Sequence, residues 1–96
     1  MKARTMEKIT ATFFSEAEIL KLMQDSQFYA KPKLSDVVVR WHPDLKGWLI
    51  RFSVKDQSNC RIHLKIGSRK ERVFRRLQGV EAFMRKMGIV SCQLIL

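Results

Sequence analysis

Between Val37 and Ile66 the chain alternates apolar and polar residues with a period of two. Trp48, Ile50, Phe52 and Val54 fall on one side, and Leu49, Arg51, Ser53 and Lys55 on the other. Further on, Cys60, Ile62, Leu64 and Ile66 oppose Arg61, His63 and Lys65. Successive side chains of a strand face opposite ways, so this pattern builds a sheet with one apolar and one basic face.

The basic face matters because the whole chain is basic. Its 96 residues carry 19 Lys/Arg against 9 Asp/Glu, a formal net charge of +10. Residues 1–48 hold eight basic against six acidic residues, and residues 49–96 hold eleven against three. The positive potential therefore belongs to the half that contains the alternating strands. Such an imbalance speaks to a polyanionic partner and to association rates. The length supports one domain with one core. No apolar run approaches the roughly 20 residues that span a bilayer, and Met1–Thr12 lacks the apolar stretch of a secretory signal. The expectation is a cytoplasmic protein. Cys60 and Cys92 stand in no spaced motif, and two cysteines with two separated histidines do not make a zinc site. No metal and no cofactor are expected.

Residues 1–12 read as a flexible N-terminal arm and 13–96 as a single α+β domain. Phe14-Ser15-Glu16-Ala17-Glu18-Ile19 carries a helix start, with Ser15 as N-cap, Glu18 closing a capping box, and Phe14 with Ile19 as staple. That helix is expected to reach about Gln27, where Lys31-Pro32-Lys33 breaks it. Asp36–His42 is the first expected strand. The turn Pro43–Gly47 leads to the second, Gly47–Lys55, and Asp56–Asn59 turns into the third, Cys60–Ile66. Ser68-Arg69-Lys70-Glu71 repeats the capping-box pattern, and Val73, Leu77, Val80, Met84 and Met87 follow at helical spacing, closed by Gly88. The preferred reading is one long helix. The rival makes Glu71–Arg75 a strand and starts the helix near Leu77. The apolar segment Ile89–Leu96 reads as a strand at the sheet edge or at a dimer seam. The expected architecture is α-β-β-β-α-β in two layers, an antiparallel sheet of three to four strands with the helices on one face.

With the helices on the apolar face, the other face carries Arg40, His42, Arg51, Lys55, Arg61, His63 and Lys65. Like charges directly opposed across strands destabilise a sheet, whereas a bound phosphate backbone relieves that repulsion and releases counterions. Arg51, Arg61 and Lys65 are the expected central contacts. Arg69, Lys70, Arg72, Arg75 and Arg76 form a second basic cluster at the expected start of the last helix, where free amides and the dipole attract phosphate. Trp41, Trp48, Phe13, Phe14, Phe74 and Phe83 read as packing residues. Catalytic motifs are missing: there is no nucleophile elbow, no phosphate-cradling glycine loop and no paired carboxylates. The enzymatic alternative is a metal-free ribonuclease of the small toxin type, with His42 or His63 moving a proton beside Arg40, Arg51 or Arg61.

Three resemblances extend this reading. Gly47-Trp48-Leu49-Ile50-Arg51-Phe52, with the next strand and Val80-Glu81-Ala82-Phe83-Met84, resembles the three-strand-plus-helix DNA-binding domain of tyrosine recombinases and AP2 factors. That resemblance implies a sheet presented to the major groove, with Arg51, Arg61 and Lys65 as contacts. The order α-β-β-β-α, with Gly67-Ser68-Arg69-Lys70-Glu71 opening a helix, resembles double-stranded-RNA-binding domains. Phe74-Arg75-Arg76-Leu77 with Phe83-Met84-Arg85-Lys86-Met87-Gly88-Ile89 is similar to small basic proteins of bacterial plasmids and integrative elements, which implies maintenance, partition or transfer of mobile DNA. The expectation is a nucleic-acid-binding protein, duplex DNA before RNA, with a possible homodimer through Ile89–Leu96. The alternatives are the ribonuclease, a double-stranded-RNA-binding module and a protein-interaction module.

Overall fold

The computed structural model describes residues 11–25, 34–55, 57–64 and 70–96. Their elements run β1 (Thr12–Phe14), α1 (Glu16–Asp25), β2 (Leu34–His42), β3 (Gly47–Val54), β4 (Gln57–Ile62), α2 (Leu77–Met87) and β5 (Gln93–Ile95). The strands form one sheet in the order β1-β4-β3-β2-β5. β2, β3 and β4 are the expected antiparallel meander, while β1 joins β4 and β5 joins β2 in parallel. The protein is thus α+β, but its sheet is mixed and five-stranded rather than antiparallel with three or four strands.

This strand order explains why both helices share a face. The β1-α1-β2 crossover and the β4-α2-β5 crossover each step three places across the sheet in the same direction. Connections of one hand between parallel strands then deposit both helices on the same side. Ile19 of α1 and Val80, Phe83, Met84 and Met87 of α2 pack with Val37, Val39, Ile50, Phe52, Val54, Cys60 and Ile62 in a single core. The opposite face has no helix over it among the described residues. No helix among the described residues is long and apolar enough to cross a membrane.

Local chemistry sets these elements. The Glu18 amide donates to Ser15 Oγ (3.2 Å) and the Ser15 amide to Glu18 Oε1 (2.8 Å), so the expected capping box starts α1. In β2 a bulge between Ser35 and Val38 adds one residue, with Asp36 at φ 52°. The extra residue brings Leu34 to the same side as Val37 and Val39, and all three are buried. Lys46, at φ 52°, closes the β2–β3 turn with a 3.2 Å bond from its amide to the Pro43 carbonyl. The β3–β4 turn is tighter than expected: Val54 pairs with Gln57, and Lys55 takes the positive φ (54°) that a two-residue hairpin turn requires. β4 accordingly starts three residues earlier than expected, and the rest of the expected strand, from 65 on, lies outside the described residues.

The main correction concerns the second helix. It begins at Leu77, where the rival parse starts it, but 71–75 is no strand: Glu71 and Phe74 make only isolated bridges, to His63 and Trp48. Leu64 and Lys70, Ile62 and Arg72, and Trp48 and Phe74 are joined by main-chain hydrogen bonds of 2.7–2.9 Å. Phe74 is buried and stacks edge-on with Phe83 at 5.4 Å. These non-local pairings hold 70–74 against the sheet and override the local helical spacing. Gly47 is part of the same packing. A Cβ there would collide with the Val73 side chain and meet the Phe74 carbonyl oxygen at 3.0 Å.

Candidate nucleic-acid interface

The open face can be read as rows across the sheet. Register places Gln93, Val38, Arg51, Arg61 and Phe13 in one row, from β5 to β1. The next row holds Ile95, Arg40 and Leu49, with His63 on the far side bridged to Glu71. Val38, Arg40, His42, Leu49 and Arg51 line a shallow cleft of about 340 Å³. Leu49, expected among the polar residues, is buried and forms the floor of this cleft.

Arg51 and Arg61 are directly opposed across β3 and β4, as the alternation required. They are not left to repel each other. Glu71 reaches between them: Arg51 donates from Nη2 to Oε1 (3.1 Å) and from Nε to Oε2 (3.2 Å), and Arg61 Nη1 donates to Oε1 (3.4 Å). The Glu71 side chain is 11% exposed, against 41% for Arg51 and 27% for Arg61. Asn59 accepts from Arg61 Nε at 3.2 Å. The expected repulsion that a ligand would have to relieve is therefore absent, because the protein supplies a counterion of its own. Each guanidinium still has one terminal nitrogen outside these bonds, Nη1 of Arg51 and Nη2 of Arg61.

Arg40 is exposed and makes no ion pair among the described residues. His42 is half-buried, and its Nδ1 is buried without a hydrogen-bond partner among the described residues. His63 stacks on Phe13, with ring centroids 5.5 Å apart and planes 25° apart. Phe13, expected as packing, thus stands on the open face, while Phe14 turns to the core and meets Phe52 at 5.6 Å. Trp41 and Trp48 make an edge-on pair at 5.3 Å on the helix side.

The outer residues of the expected site separate. Lys55 sits exposed in the β3–β4 turn and Lys70 is exposed beside Glu71. Lys65 and Arg69 lie outside the described residues. Arg72 leaves the site altogether. Its Nη1 donates to Glu16 Oε2 at 2.7 Å, and its guanidinium lies over Phe74 at 4.5 Å. With α2 starting at Leu77, five residues after Arg72, no helix N-terminus stands at Arg72 to hold a phosphate. Glu16 also accepts from Lys86 Nζ at 3.0 Å. The Lys86 hydrogen bond is the main reason its carboxyl titrates below the usual range; burial opposes this, and Arg72 adds to it. Burial pushes the Cys60 thiol up, consistent with an inert core position.

Glu71 and Phe13 are the residues that reading the sequence missed. Glu71 had one signal: it is the lone acid in the run from Arg69 to Arg72, and the strand parse of 71–75 sets it beside β4. Phe13 had none, because a three-residue parallel strand has no recognisable period.

No protein family, curated protein or solved structure matches this chain. Among the described residues, no three His, Cys, Asp or Glu side chains gather as metal ligands. What the face offers is a group of guanidiniums, Arg40, Arg51 and Arg61, with the His42 imidazole and the stacked His63–Phe13 pair beside them.

Proposed function

We propose that the protein binds nucleic acid through the open face of its sheet, duplex DNA before RNA, in an electrostatic mode with limited base readout. One observation carries this reading: both crossovers lay their helices on one side, so that no helix among the described residues covers the face bearing Arg40, Arg51 and Arg61. Arg51 and Arg61 are the central contacts, through Nη1 and Nη2. Arg40, His42, Lys55, His63 and Lys70 approach the backbone around them. Guanidinium groups match phosphate and guanine edges in a planar, two-pronged geometry, and strands of a sheet can present such groups to a major groove. A role in maintaining or transferring mobile DNA would use such a binder.

The test is a fluorescence-anisotropy panel with random duplex DNA, duplex RNA and single strands, each at 50 and 200 mM salt. Duplex DNA should bind most tightly and lose affinity steeply with salt. Absence of binding to any of these at low salt would end the proposal.

His42 supports a second reading on the same face. A buried Nδ1 with no partner among the described residues, in a cleft with Arg40 and Arg51, has the composition with which a metal-free ribonuclease could move a proton near a phosphate. Cleavage of single-stranded RNA without metal, abolished in His42→Ala, would establish it. Intact RNA after prolonged incubation would remove it.

A further inference from the structure

We infer that two copies of this chain pair through the free edge of β5, forming a two-fold dimer whose two basic faces lie side by side on one surface. The pairing stands on the edge itself; its use in binding rests on the nucleic-acid reading above.

β5 is an outer strand, hydrogen-bonded to β2 on one side only among the described residues. Sheets usually guard such an edge with lysine, proline or a bulge. From Gly88 to Leu96 the sequence has no charged residue and no proline, in a chain of which 29% of residues are charged. The opposite edge, β1, is half-buried along its length, whereas Gln93 and Leu94 are exposed. The apolar exposure is also concentrated here. Of the six large hydrophobic residues exposed among those described, four adjoin this edge: Leu77, Val90, Leu94 and Leu96. Val90 is 97% exposed. Leu77, Val80, Met84, Val90 and Leu94 line a groove of about 580 Å³ between α2 and β5.

Charge selects the occupant. A surface that recruited an acidic partner would present unpaired cations, whereas Arg85, the one cation lining this groove among the described residues, is ion-paired with Glu81 at 3.1 Å. For two chains of charge +10, the charge-free edge is where approach meets least repulsion. A two-fold interface also needs only one surface, matched to itself. Antiparallel pairing of β5 with β5 sets the axis perpendicular to the sheet. All four helices then lie on one side and both arginine rows on the other, in one ten-stranded sheet. At about 4.8 Å per strand, the two Arg51 residues stand about 24 Å apart across the strands and the two Arg61 residues about 34 Å. The larger separation is close to one turn of B-DNA.

Sedimentation velocity over a concentration series, at 50 and 300 mM salt, tests the pairing without any nucleic acid. The expected species has twice the chain mass and forms more readily at high salt, because screening weakens repulsion between two cations. Leu94→Lys places like charges at the seam and should weaken the dimer by about tenfold or more with an unchanged circular-dichroism spectrum. A monomer at every concentration and salt would overturn the inference. So would a dimer that Leu94→Lys leaves intact. Duplex titrations of the wild type then separate the two claims: a dimer that binds no duplex keeps the seam and removes the basic-face reading, and duplex binding by a strict monomer does the reverse.

Discussion

Glu71 holds Arg51 and Arg61 in the resting protein, so replacing it with glutamine should move stability and nucleic-acid affinity in opposite directions. At about 4 Å between charge centres and an effective dielectric near 20, each arginine gains roughly 4 kcal/mol of gross attraction to the carboxylate. Arg51 is 41% exposed, and solvent screening with side-chain ordering reduces the measurable worth of such a pair to about 1 kcal/mol or less. The opposed arginines, left facing each other, lose a further few tenths to about 1 kcal/mol. Glutamine keeps a hydrogen-bond acceptor, so Glu71→Gln should destabilise the fold by about 1–2 kcal/mol in urea titrations. The same change raises the summed charge of Arg40, Arg51, Arg61 and Glu71 from +2 to +3. Duplex affinity at 50 mM salt should rise about five- to tenfold, and the log–log salt slope should steepen by about 0.9 for each phosphate gained. A folded Glu71→Gln protein whose affinity and salt slope match the wild type would refute the reasoning, since phosphate would then not be competing with Glu71 for these arginines.

Three further outcomes follow from the geometry. Gly47→Ala should lower stability by about 1–3 kcal/mol in thermal or urea melts, because its Cβ would displace Val73 and the Phe74 carbonyl; unchanged stability would mean the 70–74 segment is not held against β3. Glu16→Gln should reduce stability at pH 7 by up to about 1 kcal/mol, the pair with Arg72 and Lys86 being partly exposed. The folded carboxyl titrates below its unfolded value of 4.5, so its contribution is present above that value and is lost as pH falls through the lowered folded value. The gap between wild type and variant should therefore close in acid, and a gap that widens there would contradict the pairing. Ser15→Ala removes one arm of the capping box and should cost about 1 kcal/mol in the same melts.

The parts of this fold that were legible in the sequence are those set by near neighbours. Ser15 and Glu18 satisfy each other within one turn, and the alternation from Trp48 to Val54 records which side of β3 faces the helices. What was hidden depends on distant partners. Thr12–Phe14 becomes a strand only because Cys60–Ile62 lies beside it. Val73 fits a helical repeat with Leu77 and Val80, yet Phe74 takes its main-chain bonds from Trp48, 26 positions away in sequence. Leu77, counted in that repeat, is 45% exposed. The site divides in the same way. Arg40, His42, Arg51, Arg61 and His63 share a face because strand period dictates it. The counterion between Arg51 and Arg61, and the removal of Arg72 to Glu16, came from the loop path that no local pattern records.

The central claim is that the open sheet face is a phosphate-binding surface, and Arg40→Glu tests it most directly. Arg40 is exposed and has no ion pair among the described residues to lose, so the fold should survive. By contrast, reversing Arg51 and Arg61 together would set three carboxylates against one another. Binding of random duplex DNA should be followed by anisotropy from 50 to 300 mM salt for the wild type and Arg40→Glu. The account predicts that wild-type log K falls linearly with log salt, with a slope of about −2 to −4. In Arg40→Glu the slope should be shallower by about 1–2 and the low-salt affinity at least about tenfold weaker. Identical curves for the two proteins would place the nucleic acid elsewhere on the molecule and contradict the account.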